Sequence, residues 1–244
     1  MSRPDGRRPD ELRPVRITPG FLACAPSALI EVGATRVLCT AICEEGVPPW
    51  LRGQGRGWLT AEYGMLPAST GQRKARDATR GKLDGRTVEI QRLIGRSLRA
   101  VVDLDRLGER TLWVDCDVLE ADGGTRCASI TGALVAAVDA VNSLTGQLTG
   151  PVSEILTDSV AAVSVGLIDD EARLDLEYVE DRDADVDLNL VMTGSGKIIE
   201  VQAGGEEATF SRPQLDTLVT LGETGIRAIT AAQKSVLGGA WPFG

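Results

Sequence analysis

Histidine is absent from the 244 residues. That absence removes Ser-His and Cys-His nucleophile pairs, an imidazole general base and His-ligated zinc. Long apolar runs are missing too. The longest, Val160 to Ile168, is interrupted by Ser164 and Gly166 and falls short of the ~20 residues that span a membrane. No apolar segment follows the charges of Met1 to Asp5, so neither a secretory leader nor a membrane partner is expected, and the expected location is cytoplasmic. The cysteines at 24, 39, 43, 116 and 127 form no C-x-x-C pair, which predicts reduced thiols rather than a disulfide framework or a metal knuckle.

What remains is ordinary globular material, 43% hydrophobic and 25% charged. The net charge of -9 argues at first against a nucleic-acid partner, since phosphate binding wants a positive surface. Its distribution reverses the inference. Residues 52–99 hold nine arginines and two lysines against four acidic residues, whereas 100–244 hold 9 basic and 25 acidic ones. An arginine-rich stretch of this kind suits a phosphate-backbone track.

Along the chain, the first ~20 residues are Arg- and Pro-rich and read as an irregular arm. Strands are predicted at 29–32 and 36–43 with Gly33-Ala34 as the turn, at 58–66 and at 110–120. Long loops fall at 46–57 and 67–85. Apolar residues at three- and four-residue intervals predict a helix over 86–102 with Asp84 as its cap, and Arg92, Arg96 and Arg99 stack along its other face. A second helix over 125–143 is almost wholly small and apolar, so it belongs in the centre of the fold. Further strands are predicted at 158–168, 172–178, 185–192 and 197–202. A last helix opens on a capping box formed by Ser211 and Gln214. Runs of strands followed by helices point to an α+β architecture. No Pro/Ser-rich linker divides the chain, so residues 1–244 are expected to form one two-lobed domain.

Two local features could carry chemistry. Gly123-Gly124-Thr125-Arg126 joins a strand to the buried helix. It is either a local turn or an anion site built from free N–H groups, a hydroxyl and a guanidinium. It is neither a Walker loop nor a dinucleotide fingerprint. The stretch EDRDADVD (180–187) alternates carboxylates as a calcium loop does. However, Val186 stands where such a loop needs Gly and Met192 where it needs Glu. If a strand starts at Asp185, then Val186, Leu188, Leu190 and Met192 face the core while Asp185, Asp187 and Asn189 share the other face. The carboxylates then form either a solvated turn or a hard-oxygen set suited to Mg²⁺.

The runs GQGRGWLTAEYGMLP (53–67), GRTVEIQRLIGRSLRAVVDL (85–104), LGERTLWVDCDVLEADGGTR (107–126), ASITGA (128–133) and ADVDLNLVMTG (184–194) closely resemble the ribonuclease PH family. The resemblance runs from about Arg7 into the last helix. It implies an α+β fold of the ribosomal protein S5 domain 2 type and a phosphorolytic 3′-to-5′ exoribonuclease acting on tRNA precursors and other RNA 3′ ends. It further implies a homo-hexamer arranged as a trimer of dimers. By position, Arg86, Gly124, Thr125 and Arg126 would bind inorganic phosphate, and Asp181 and Asp187 would hold Mg²⁺ or act as acid, so that Asp181, Asp187 and Arg126 are the catalytic candidates. Arg92, Arg96, Arg99, Arg73 and Arg76 would face RNA. Three departures stand out. Ala68 replaces a usual Arg, Gly71 a common His and Cys127 a usual Thr. The competing reading is a non-catalytic RNA-binding subunit of an exosome-like ring, and a third is a phosphate-dependent transferase acting on nucleosides.

Overall fold

The computed structural model describes residues 3–76, 79, 81–148, 150–205 and 208–243. Strands β1 (Val15–Pro19), β2 (Ser27–Val32), β3 (Thr35–Glu45), β4 (Trp58–Met65) and β5 (Arg110–Glu120) form one sheet in the order β1-β2-β3-β5-β4. All its pairs are antiparallel except β4 with β5, which is parallel. A parallel pair needs a crossover, and helix α1 (Gly85–Arg99) followed by the short α2 (Leu104–Leu107) supplies it. A second sheet holds β6 (Val160–Ile168), β7 (Glu171–Leu174), β8 (Val186–Thr193) and β9 (Ile198–Gly205) in the antiparallel order β7-β6-β8-β9.

Helix α3 (Thr125–Ser143) lies between the sheets, packing on β2, β3 and β5 from one and β6 from the other. Its small apolar residues allow that close double contact. At Gly132, a Cβ would sit 2.8 Å from both Ile30 Cγ2 and Cys39 Sγ. After the short α4 (Val152–Ile155), the chain runs through the second sheet and α5 (Tyr178–Asp183) to α6 (Arg212–Leu237). Helix α6 covers the second sheet with Leu218, Ile226 and Ile229 and also reaches β1. Its capping box, Ser211 with Gln214, forms as expected. The five thiols are free, with Cys39, Cys116 and Cys127 buried.

Four local expectations need correction. Helix α1 ends at Arg99. Val101 and Val102 are still buried, but Asp103 turns the chain by capping α2, accepting from the Asp105 and Arg106 N–H groups. Asp84 sits at the N-cap of α1 without a capping hydrogen bond and instead faces Lys74 Nζ at 3.9 Å. The strand expected over 172–178 stops at Leu174, because Asp175 turns into the left-handed region (φ 54°) and its buried carboxylate binds Arg13. The N-terminal arm is irregular only to Pro14: β1 then pairs with β2, and Arg3 and Arg13 are buried. Among the described residues, no helix is long and apolar enough to cross a membrane.

Candidate active site

Strand β5 ends at a turn whose two glycines are both left-handed, Gly123 at φ 76° and Gly124 at φ 68°. Gly123 must lack a side chain: a Cβ there would lie 2.7 Å from the Leu176 carbonyl oxygen and 2.8 Å from Tyr178 N. The turn is thereby pressed against the root of α5. Gly124 is the N-cap of α3 and offers no side-chain cap, so the first N–H groups of the helix stay open toward the cavity in front of them. The Thr125 hydroxyl shares a 2.9 Å hydrogen bond with Tyr63 Oη, both side chains being buried.

That cavity has a volume of about 380 Å³ and is lined by Arg86, Glu89, Gly124, Thr125, Arg126, Asp181, Asp187, Asn189 and neighbours on β9. Each lining group has a traceable origin. Arg86 and Glu89 share one face of α1, three residues apart. Asp187 and Asn189 lie on one face of β8, as the alternation predicted, while Val186, Leu188, Leu190 and Met192 fill the core of the second sheet. Asp181 arrives differently. Residues 178–183 coil into α5 under a capping box of Glu177 and Glu180, which aims Asp181 at the cavity and leaves Asp183 paired with Arg182 at the surface.

The electrostatics are mixed. Desolvation by the cavity walls pushes the Asp181 carboxyl above the usual carboxylate range and the Asp187 charge adds to the effect, while Arg86, Arg126 and Arg13 oppose it. Arg126 donates through Nη1 to Gln202 Oε1 at 2.6 Å and to Glu89 Oε1 at 3.4 Å, and Gln202 Nε2 also reaches Glu89 at 3.2 Å. Arg86 is exposed and makes no hydrogen bond among the described residues. The Cys127 thiol donates to Asn189 Oδ1 at 3.3 Å, and burial pushes it up to about 12. It is inert as a nucleophile.

The structure thus gathers Arg86, Gly124, Thr125, Arg126, Asp181 and Asp187 in one place. It does not bring the remaining arginines there. Arg92, Arg96 and Arg99 line a separate recess of about 500 Å³ with Trp58. Arg96 pairs with Glu200 at 2.8 Å, and Arg99 lies 5.3 Å over the Trp58 ring and donates to the Leu59 carbonyl. Arg73 and Arg76 are exposed on the 66–76 loop and line neither recess. Three polar residues in or beside the cavity carry little or no mark in the sequence. Glu89 was legible from its i+3 spacing to Arg86. Tyr63 sat unmarked in a strand, and Gln202 is placed only by its pairing opposite Asn189 across β8 and β9.

Known proteins share this chain's sequence and fold. The model for the 3′ exoribonuclease family, domain 1, matches residues 11–141, and that for domain 2 matches residues 158–225. Ribonuclease PH of Syntrophomonas wolfei subsp. wolfei (strain DSM 2245B / Goettingen) is 56% identical over 240 residues, covering 98% of this chain and all of that one. Among solved structures, rice (Oryza sativa) Rrp46 superposes with a TM-score of 0.77 at 21% identity, covering 96% of this chain and 100% of that one. A chain of the Archaeoglobus fulgidus exosome with RNA bound to the active site gives 0.78 at 22%, covering 94% and 92%. At such identities these two structures speak for the fold alone.

Proposed function

The chain belongs to the 3′ exoribonuclease family, and from that premise we propose that its cavity carries out phosphorolysis at RNA 3′ ends, those of tRNA precursors included. The observation that carries this reading is the convergence of an open helix N-terminus, two arginines and two aspartates in one cavity of a chain without histidine.

The chemistry explains the missing imidazole. Hydrolysis requires a base to activate water, whereas phosphate near neutral pH is already an anionic nucleophile and needs position and charge neutralisation. Arg86, Arg126, the Thr125 hydroxyl and the N–H groups following Gly124 hold the phosphate. It attacks the terminal phosphodiester in line, the bond from phosphorus to the upstream 3′-oxygen breaks, and the products are a nucleoside 5′-diphosphate and an RNA shorter by one. The leaving 3′-oxygen needs a proton and the attacking hydrogen phosphate carries one, so Asp187 can pass it across without net consumption. Since an ester-type bond is exchanged for an anhydride, nucleoside diphosphates should also extend RNA.

Asp181 and Asp187 fit Mg²⁺. Burial and the Asp187 charge together raise the Asp181 carboxyl, a cost that a bound cation would relieve. Two carboxylates leave room for water and phosphate oxygens, which is the Mg²⁺ pattern, and a bound ion would neutralise charge on the reacting phosphates. We read Arg92, Arg96 and Arg99 beside Trp58, together with Arg73 and Arg76, as the route of the RNA backbone.

Helix α3 packs on both sheets, which supports treating residues 1–244 as one two-lobed unit. The similarity to ribonuclease PH supports reading the chain as a homo-hexamer, a trimer of dimers, despite Ala68. The expected mass in solution is six times the chain's 25.8 kDa, and a monomer in light scattering would contradict it. The chemistry itself is tested with a 3′-extended tRNA: trimming should require inorganic phosphate and yield nucleoside diphosphates. A non-catalytic ring subunit would trim nothing, and a nucleoside-specific transferase would leave the RNA intact.

A further inference from the structure

Under the N-terminal arm and beside the turn at Gly124 lies a buried ion cluster that the proposed chemistry does not use. Arg3 forks onto Glu180, with Nε to Oε1 at 2.9 Å and Nη2 to Oε2 at 2.7 Å, and the two side chains are 1% and 2% exposed. Arg173 reaches the same carboxylate at 3.2 Å. Arg13 forks onto Asp175 through Nε at 3.0 Å and Nη2 at 2.7 Å, its backbone N–H adds a bond at 2.8 Å, and its remaining nitrogen Nη1 donates to the Asp122 carbonyl. Arg7 lies within 3.7 Å of both Asp175 and Glu180.

Burying so many charges is costly, and such clusters are weak sources of net stability. Their placement here is more informative. Asp122 immediately precedes Gly123-Gly124, the turn that opens α3 toward the cavity. Asp175 stands at the root of α5, and Glu180 is the neighbour of Asp181. Arg13 runs directly beneath the turn: a Cβ on Gly124 would be 3.2 Å from its Nη2. The two halves of the site come from different sheets, and this one guanidinium is bonded to both. Resting on the phosphorolytic reading above, we infer that Arg13 is a positioning residue, which sets the phosphate-holding turn at 123–126 against the aspartate-bearing α5 by bridging the Asp122 carbonyl to the Asp175 carboxylate.

Only arginine can hold both. Its planar fork binds a carboxylate through two nitrogens with a third left over, whereas a lysine keeps the charge but presents a single nitrogen. Displacing one half of a site by about 1 Å costs on the order of 10²-fold in rate.

The test uses the full-length chain with Arg13→Lys, Asp175→Asn and the double variant, measuring kcat and the KM values for RNA and for phosphate per folded protein, with folding followed by circular dichroism. Arg13→Lys is expected to lower kcat by roughly 10- to 100-fold with the RNA KM unchanged, because the arginines of α1 are not bonded to the cluster. The double variant should be no worse than the poorer single one, since both break the same bridge. A kcat within about twofold of the parent, additive losses, or failure of both single variants to fold would overturn the inference and leave the cluster a structural one. A parent that fails to phosphorolyse RNA would instead overturn the functional reading on which it rests.

Discussion

Replacing Arg126 with alanine is expected to lower kcat/KM for phosphate-dependent trimming by roughly 10²- to 10³-fold, the usual cost of deleting one preorganised donor to a charged reacting group. The side chain stands on the first turn of α3, 14% exposed, with Nη1 already oriented by Gln202 and Glu89. Its removal leaves Glu89, Asp181 and Asp187 facing a tri-anionic reacting centre with Arg86 as the only arginine lining the cavity among the described residues. Both phosphate binding and turnover should suffer, so the phosphate KM should rise as kcat falls. Arg126→Lys should recover only part of the loss, because a point charge cannot make the forked contact. The RNA KM should change little, since Arg92, Arg96 and Arg99 line a different recess. Initial rates at varied phosphate would decide it, and unchanged rates in Arg126→Ala would remove this residue from the phosphate site.

Asp187→Asn is expected to cost as much or more, roughly 10²- to 10⁴-fold in kcat, the range of a lost proton-transfer group. The substitution is nearly isosteric. Asp187 lies on β8 opposite Gly166 and Gly204, and a Cβ on Gly204 would be 3.4 Å from its Oδ1, so an amide fits the same space without a clash. Stability should therefore change little while chemistry fails. Asp187 also contributes to the upward shift of Asp181, so removing its charge makes Asp181 easier to ionise, which cannot restore a proton carrier or a second metal ligand. RNA binding without phosphate should persist. An Asp187→Asn enzyme retaining a third of parental kcat would contradict both roles given to this carboxylate.

The elements read correctly from sequence are those whose signals are local. The unbroken small-apolar run placed α3 at the centre, the Gly33-Ala34 turn defined the β2–β3 hairpin, and the Ser211–Gln214 spacing marked the start of α6. The Gly123-Gly124-Thr125-Arg126 turn was legible because all its parts are consecutive. Alternation placed Asp187 correctly but misled just upstream. The capping box of Glu177 and Glu180 coils 178–183 into α5, which alternating carboxylates do not signal, and the ionic anchor of Asp175 ends β7 early. The pairs of Arg3 with Glu180 and of Arg13 with Asp175 join residues more than 160 positions apart, and no sequence period connects them. Gln202 was hidden for the same reason, because only strand register carries it to Arg126. Arg99 looked free on the helix face, yet Trp58 and the Leu59 carbonyl engage it.

The central claim is that inorganic phosphate, and not water, breaks the terminal phosphodiester. The most direct measurement supplies ¹⁸O-labelled phosphate with a 3′-extended tRNA and analyses the released nucleotides by mass spectrometry. The account predicts nucleoside diphosphates carrying the label in the β-phosphate. Unlabelled nucleoside monophosphates, or release that continues at the same rate without phosphate, would contradict it.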